Sequence, residues 1–176
     1  MAETVERREH SESAVPEGGE LAALRRMVEA GMAPSAAHAV LLGFEPAGLP
    51  SGSEAEWLVE HISNGLPYDC VRRLQAQAGL SQRQMATLLH TSARTLERRR
   101  NAGSLEPEES DRAATLSRVL AGALVLFEYD RDAAVGWLSG PRRALGGRSA
   151  WQMAQTEAGA REVEALIGRL EHGVFT

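Results

Sequence analysis

The chain has 176 residues, of which 43% are hydrophobic and 24% charged, and its formal net charge is −5 at pH 7. This length suits one large domain or two small ones, and the composition is typical of neither a disordered nor a collagen-like protein. The single cysteine, Cys70, excludes an intramolecular disulfide framework and favours a reducing compartment. No apolar run predicts a membrane span or a signal peptide, so we expect a cytoplasmic protein without a membrane partner.

The amino-terminal region divides into a polar tail, a helical segment and a linker. Residues 1–19 are rich in glutamate and poor in large apolar residues, so we expect a disordered tail. Apolar residues recur at helical spacing from Leu21 to Met32. Gly, Pro and Ser are then concentrated in 45–53, which is typical of a linker. We therefore assign residues 20–52 to an amino-terminal helical segment and linker.

Three short helices predicted over residues 67–100 have the layout of a helix-turn-helix unit. Ser81 and Gln84 form a capping box that starts the second of these helices. Ala86 lies in the middle of that helix, where the crossing helix leaves no room for a larger side chain. The turn position that usually holds Gly is His90 here, and the chain needs a positive φ there, which His tolerates better than most residues.

Positive charge is concentrated in the same segment. Residues 72–100 hold seven arginines and one glutamate, which is a local charge of +6 in a chain whose total is −5. Such a concentration favours contact with nucleic acid. The alternative is a solvated arginine-rich face that is paired in part with the acidic segment 106–111.

The third helix of the unit would present its outer face to the DNA major groove. We expect Arg94 to contact a base edge, and Arg83 with one or more of the arginines at 98–100 to contact phosphates. The candidate DNA-binding residues are Arg83, Ser92, Arg94, Thr95, Arg98, Arg99 and Arg100. A single unit of this kind has a small footprint, so we also expect a homodimer.

A longer helix is predicted to begin at Pro107, because Pro is favoured in the first helical turn. Its apolar stripe includes Leu116, Leu120 and Phe127. Neither half of the chain alone has enough apolar surface for several independent helices. We therefore expect these side chains to be buried between the two halves.

The carboxy-terminal region is predicted to contain short helices, a loop and one last helix. Residues 142–149 have no periodicity and include two adjacent glycines, which indicates a shaped loop. Thr156 would cap the last helix and Gly173 would end it. Val174 and Phe175 lie beyond that cap and either fold back on the helix or contact a partner. No stretch alternates with period two, so the fold class is predicted to be all-α.

The sequence carries no pattern of catalytic or metal-binding residues. The five histidines are scattered, and Cys70 has no catalytic signature around it. Gly146 and Gly147 lack the preceding strand and the lysine of a phosphate-binding loop. We expect a protein that is not an enzyme and uses neither a metal nor another cofactor.

Two blocks of the sequence, residues 79–120 and 136–175, carry a family resemblance. The second block contains an Ala-Leu-Gly-Gly loop at 144–147, a Thr-Glu-x-Gly helix start at 156–159 and a terminal Glu-His-Gly-Val-Phe at 171–175. In order and spacing these parts resemble antitoxins of the Xre/MbcA/ParS type. Those antitoxins are the partners of RES-domain toxins in bacterial type II toxin–antitoxin operons, and the resemblance covers about residues 55–175.

The resemblance implies an Xre-like helix-turn-helix domain, assigned to 53–115, followed by a small helical toxin-binding domain, assigned to 116–176. It also implies an antitoxin that occludes the NAD-binding cleft of a RES-domain toxin and binds operator DNA to repress its own operon, as a homodimer within a toxin–antitoxin hetero-oligomer. The family usually has Asn-Pro where this chain has Arg142 and Arg143. The candidate toxin-binding residues are Leu145, Gly146, Gly147, Arg148, Glu171, His172, Gly173, Val174 and Phe175.

A second hypothesis is an ordinary helix-turn-helix repressor whose carboxy-terminal helices only dimerise or sense a ligand. The presence or absence of a neighbouring gene for a RES-domain protein would distinguish the two hypotheses.

Overall fold

The computed structural model describes residues 19–33, 37–44 and 54–173. These residues form helices and no β-strand, so the predicted all-α class is confirmed. The predicted tail, apart from Gly19, and the predicted linker at 45–53 lie outside the described residues. In chain order the elements are α1 Gly19–Glu29, a first 3₁₀ helix His38–Leu42, α2 Glu54–Asn64, α3 Asp69–Ala78, α4 Gln82–Leu88, α5 Ala93–Ala102, α6 Pro107–Leu126, α7 Arg131–Ser139, a second 3₁₀ helix Arg143–Leu145, α8 Ala150–Met153 and α9 Glu157–Glu171.

The starts of several helices are determined by local capping chemistry. The Ser81 hydroxyl accepts a hydrogen bond from the Gln84 amide, and the Gln84 side chain accepts one from the Ser81 amide at 2.9 Å. Ser149 and Gln152 make the same reciprocal pair at the start of α8. Thr156 caps α9 through a hydrogen bond from a backbone amide of its first turn. These caps satisfy amides that have no partner inside the helix, and those of Ser81 and Thr156 were predicted.

Helix α6 lies at the centre of the fold. It spans 20 residues and packs against α2, α3, α7, α9 and the first 3₁₀ helix. Leu116, Leu120 and Leu124 on this helix are each at most 1% exposed. The predicted burial of Leu116 and Leu120 is therefore confirmed. Phe127, at the end of the helix, is only partly buried against the same core.

The amino-terminal segment belongs to the same core. Leu24 of α1 and Leu41 of the first 3₁₀ helix are fully buried. The Glu20 carboxylate of α1 accepts a hydrogen bond at 2.6 Å from the Arg73 guanidinium of α3, and a second bond from Gln77 at 3.2 Å. Both carboxylate oxygens are thus paired in a site that is nearly closed to solvent. The segment supports α3, which immediately precedes the helix-turn-helix pair.

None of the described helices combines the length and apolar character that crossing a bilayer requires.

Replacing Leu120 by Ala should lower the free energy of unfolding by about 2 to 5 kcal/mol, because the truncation leaves a cavity at the centre of α6. Urea or guanidinium denaturation followed by circular dichroism measures this change. Arg161→Ala is a suitable control, because the side chain of Arg161 is 74% exposed. A loss for Leu120→Ala no larger than that of the control would contradict the central position of α6.

Candidate DNA-binding and toxin-binding surfaces

Helices α4 and α5 form the helix-turn-helix pair. Met85, Ala86 and Leu89 meet Leu96 of α5 in the core, and all four side chains are buried. His90 in the turn has a φ of 56°, as its position predicted. A non-glycine residue in this left-handed region needs support from its surroundings. The α4–α5 turn therefore has the left-handed backbone of a helix-turn-helix unit with a non-glycine residue at that position.

The amino-terminal end of α5 is ordered by two hydroxyl groups. The Ser92 hydroxyl accepts a hydrogen bond from the Thr95 amide at 3.0 Å, and the two hydroxyl oxygens are also 3.0 Å apart. Ser92 is exposed and Thr95 is half-buried. The hydroxyl groups of Ser92 and Thr95 are thus both used at the start of α5, the recognition helix of the pair. Arg94 is the exposed long side chain of its first turn.

Three exposed arginines have no side-chain hydrogen bond or ion pair with any described residue. They are Arg83 of α4 and Arg94 and Arg98 of α5. Arg94 and Arg98 are four residues apart and share one face of the helix. We refer to these three residues as the open arginine face. Guanidinium groups without internal partners are available for phosphate oxygens and base edges.

Arg99 is not part of the open arginine face. Its guanidinium lies 2.7 Å from a carboxylate oxygen of Glu106 and 2.7 Å from one of Glu109, and the side chain is only 15% exposed. The alternative hypothesis, that arginines of this region pair with the acidic segment 106–111, is correct for Arg99. We therefore remove Arg99 from the residues expected to contact phosphates. Arg100 pairs with Glu97, but both side chains are exposed. An exposed ion pair stabilises by about 0 to 1 kcal/mol and exchanges easily for another partner.

The loop between α7 and α8 is closed by its own backbone. The Arg142 amide donates to the Arg148 carbonyl at 2.9 Å, and the Gly147 amide donates to the Arg142 carbonyl at 2.9 Å. The Arg142 guanidinium donates to the Trp137 carbonyl at 3.0 Å and lies over the Trp137 ring. Gly146 and Gly147 have φ values of 64° and 80°, which β-carbon-bearing residues rarely adopt. The loop is thus a shaped turn, as predicted, and its middle is a single turn of 3₁₀ helix.

The predicted toxin-binding residues of this loop differ in exposure. Gly146, Gly147 and Arg148 are exposed, whereas Leu145 is 4% exposed and belongs to the core. Leu145 therefore anchors the loop and offers no surface to a partner in this conformation. Arg143 is exposed and has no ion-pair partner among the described residues.

An open groove of about 440 Å³ runs beside this loop and the start of α9. Its lining residues are Arg148, Gln152, Met153, Gln155, Thr156, Ala158 and Gly159.

The exposed loop lies beside the start of α9, and the predicted toxin-binding residues 171–173 lie at its end. Gly159 lines the groove beside Arg148, and Glu171 ends the helix twelve residues later. At 1.5 Å per residue that separation is about 18 Å. Glu171, His172 and Gly173 are exposed, whereas the predicted contacts Val174 and Phe175 lie outside the described residues. The exposed loop residues and residues 171–173 are therefore two separate groups of predicted contacts.

A buried arginine that the sequence analysis missed joins the two halves of the chain. Arg112 of α6 is 9% exposed, and its Nε donates to the Leu88 carbonyl at 3.3 Å. Its Nη2 donates to the Ala154 carbonyl. Nearby, Nε2 of His90 donates to the Gln155 carbonyl at 2.6 Å. Burial lowers the pKa of Arg112 from its ordinary value. Arg112 directly follows four polar residues at 108–111, so nothing in the sequence distinguished it from a solvated arginine.

No group of three or more potential metal-ligating side chains occurs in the parts of the chain that the structure describes.

The fold and its surfaces define a helix-turn-helix protein with a second, helical domain at its carboxy terminus. A family model described as the antitoxin Xre-like helix-turn-helix domain matches residues 58–118. A model described as the antitoxin Xre/MbcA/ParS C-terminal toxin-binding domain matches residues 123–173.

Two curated relatives extend this match across most of the chain. An "Antitoxin Xre" of Yersinia enterocolitica is 40% identical over 130 residues, which cover 73% of this chain and 87% of the relative. An "Antitoxin Xre" of Photorhabdus laumondii is 34% identical over 130 residues, with the same coverage of both chains. The chain therefore belongs to the Xre family of antitoxins. It has a helix-turn-helix DNA-binding domain and a toxin-binding domain, so the antitoxin hypothesis replaces that of an ordinary repressor.

Arg98 and Arg99 are adjacent, yet their replacement by Ala should affect different properties, DNA binding for Arg98 and stability for Arg99. Arg98→Ala should weaken binding to any duplex DNA and reduce the slope of log K against log salt by about 0.9, with stability unchanged. Arg99→Ala should remove the ion-pair partner of the buried Glu109, which keeps only the hydrogen bond from the Glu106 amide, and lower the free energy of unfolding by about 1 to 3 kcal/mol. Fluorescence anisotropy over a salt series and denaturant unfolding measure the two effects. Equal salt slopes for Arg98→Ala and the unaltered protein would remove the open arginine face from the DNA contact.

Proposed function

We propose that this antitoxin neutralises a RES-domain toxin by covering its NAD-binding cleft, and that it binds operator DNA to repress its own operon. The family resemblance supports the identity of the toxin. The observation that supports the dual role best is the placement of two separate surfaces. The open arginine face lies on α4 and α5, and the glycine-containing loop at 145–148 lies in the toxin-binding domain.

Inhibition by occlusion requires no chemistry from the antitoxin. Its loop and the end of α9 need only to fill space at the mouth of the toxin's cleft. The loop is suited to this because two adjacent glycines let a partner approach the backbone closely, while the Arg142 contacts hold the loop in one shape. Arg143 and Arg148 add two cations without internal ion-pair partners, which favours acidic side chains around the toxin's cleft.

On the DNA side, Arg94 is proposed to read a base and Arg83 and Arg98 to contact phosphates. One α5 helix reaches only a few base pairs, so we propose a homodimer that binds two half-sites about 34 Å apart. The overall negative charge of the chain disfavours nonspecific coating of DNA by other surfaces.

The direct experiment is co-expression with the RES-domain protein encoded by the neighbouring gene. The two proteins should co-elute in size-exclusion chromatography, and the antitoxin should prevent loss of cellular NAD. A gel shift with the promoter of the same operon tests the DNA role. Separate elution combined with unchanged NAD loss would reject the toxin assignment, and equal binding to promoter and random duplex would reject the operator assignment.

Arg94→Ala should reduce the preference for the operator over a random duplex by about 1 to 3 kcal/mol, which is the value of one bidentate contact to a base. Competition binding with the two duplexes measures this preference. Arg83→Ala is the matched control, because it should lower the affinity for both duplexes by the same factor. An unchanged preference after Arg94→Ala would place base recognition on another side chain.

Deleting residues 171–176 should abolish protection from the toxin while leaving DNA binding intact. The truncation removes most of the predicted toxin contacts, of which 171–173 are exposed, and keeps the buried Val163, Leu166 and Ile167 of α9. A growth-rescue assay with induced toxin measures protection. Arg98→Ala provides the reciprocal control, since it should weaken DNA binding and keep protection. Rescue by the truncated protein, together with its copurification with the toxin, would confine the toxin contact to the loop at 145–148.

A further inference from the structure

The methionine at the end of α8, Met153, borders the open groove beside the exposed loop. It is half-buried and lines the groove together with Arg148. By contrast, Met85 is fully buried and Met27 is 8% exposed. A thioether inside the core is oxidised only when the protein opens, whereas one that borders an open groove can be reached in the folded state. Met153 is therefore accessible to a small oxidant such as hydrogen peroxide.

The backbone of Met153 is fixed by close neighbours, so its side chain is the part that can respond to a chemical change. The Met153 amide donates to the Ser149 carbonyl at 3.0 Å, and the Met153 carbonyl accepts from the Thr156 amide at 3.3 Å. A β-carbon added at Gly159 would clash with the same carbonyl oxygen, so the first turn of α9 lies directly against it. A change at the sulfur is therefore expressed in the groove and is not absorbed by a shift of the backbone.

The sulfur of Met153 has a cationic neighbour. Nη1 of Arg148 lies 4.0 Å from Sδ of Met153. Arg148 is exposed and forms no ion pair with any residue that the structure describes. A thioether sulfur is only a weak hydrogen-bond acceptor, so this contact holds the guanidinium weakly. While Met153 is reduced, Arg148 is available to an acidic partner.

We propose that Met153 is an oxidation-sensitive site through which hydrogen peroxide weakens the binding of toxin. This inference rests on the proposed function for the toxin. An electron pair of the sulfur attacks one oxygen of the peroxide, an S–O bond forms and the O–O bond breaks. The sulfur is oxidised to a sulfoxide, and the second oxygen of the peroxide takes up a proton and leaves as water.

The sulfoxide changes the groove in two ways. Its oxygen is a strong acceptor and takes a charge-assisted hydrogen bond from Arg148, which withdraws that cation from the toxin. The side chain also becomes polar, so a partner that covers it must remove water from the new S–O group. Both changes lower the affinity of the antitoxin for toxin. Because bound toxin covers the groove, the oxidant acts on antitoxin that has not yet met its partner.

The test oxidises the full-length antitoxin alone. After treatment with hydrogen peroxide, catalase removes the excess, and the untreated RES-domain protein of the neighbouring gene is added. Peptide mass spectrometry identifies the oxidised methionines, and biolayer interferometry measures the dissociation constant of the complex. Met153 should be oxidised faster than Met27 and Met85. The dissociation constant should rise by at least about tenfold, which corresponds to the loss of one hydrogen bond to a charged group.

Each variant is compared before and after peroxide. Met153→Leu removes the sulfur and keeps an apolar side chain of similar volume, so peroxide should leave its dissociation constant unchanged. Met32→Leu is the matched control, because Met32 is also half-buried but does not line the groove. This control should remain as sensitive to peroxide as the unaltered protein. Methionine sulfoxide reductases A and B together should restore the affinity of the oxidised protein, which irreversible damage elsewhere would prevent.

Oxidation of Met153 that leaves the dissociation constant unchanged would overturn the inference and leave the proposed function intact. A loss of affinity that persists in Met153→Leu would also overturn it, because the sensitive group would then lie elsewhere. Oxidation of Met153 no faster than that of Met85 would show that the sulfur is not accessible in the folded protein. Failure of the proposed function gives a different result, since the untreated antitoxin would not bind the RES-domain protein, and the inference would be rejected with it.

Discussion

The structure depends above all on the burial of α6. This helix has 20 residues and is therefore about 30 Å long, and leucines along its length are shielded from solvent by helices of both domains. Helices α2 and α3 of the DNA-binding domain and helices α7 and α9 of the toxin-binding domain pack on it, so neither domain has a complete core without it. A shared central helix gives two binding surfaces a defined spacing within one small chain. It also lets a group such as Arg112, projecting from α6, touch both domains.

The position of each arginine, more than the total charge of the segment, determines whether its guanidinium is available to DNA. The segment 72–100 carries a local charge of +6, but Arg73 and Arg99 are turned inward to Glu20 and Glu109. Buried pairs of this kind satisfy each other and offer little to a phosphate. The arginines of this segment without a side-chain partner among the described residues are Arg83 on α4 and Arg94 and Arg98 on α5. A chain with a net charge of −5 can thus present a compact basic surface to DNA without attracting it elsewhere.

Local chemistry made much of this fold predictable. Capping pairs such as Ser81 with Gln84 act over three residues, and the positive φ of His90 follows from the geometry of the motif. Both features depend only on near neighbours in the chain. The predicted DNA-binding and toxin-binding residues could likewise be placed on elements, although their roles stay predictions.

Contacts between distant residues could not be predicted in the same way. Glu20 bonds to Arg73 across 53 positions, and Arg112 reaches Ala154 across 42. No periodicity encodes such pairs, because they depend on how helices pack. The burial of Leu145 has the same origin, since a loop residue looks exposed until the core beneath it is known.

The central claim is that one molecule carries separate surfaces for toxin and DNA, so both partners should bind at once. Native mass spectrometry of the antitoxin mixed with the RES-domain protein and a promoter duplex tests this directly. The account predicts a species whose mass contains all three components. Only binary complexes, with toxin displacing DNA at every concentration, would contradict it.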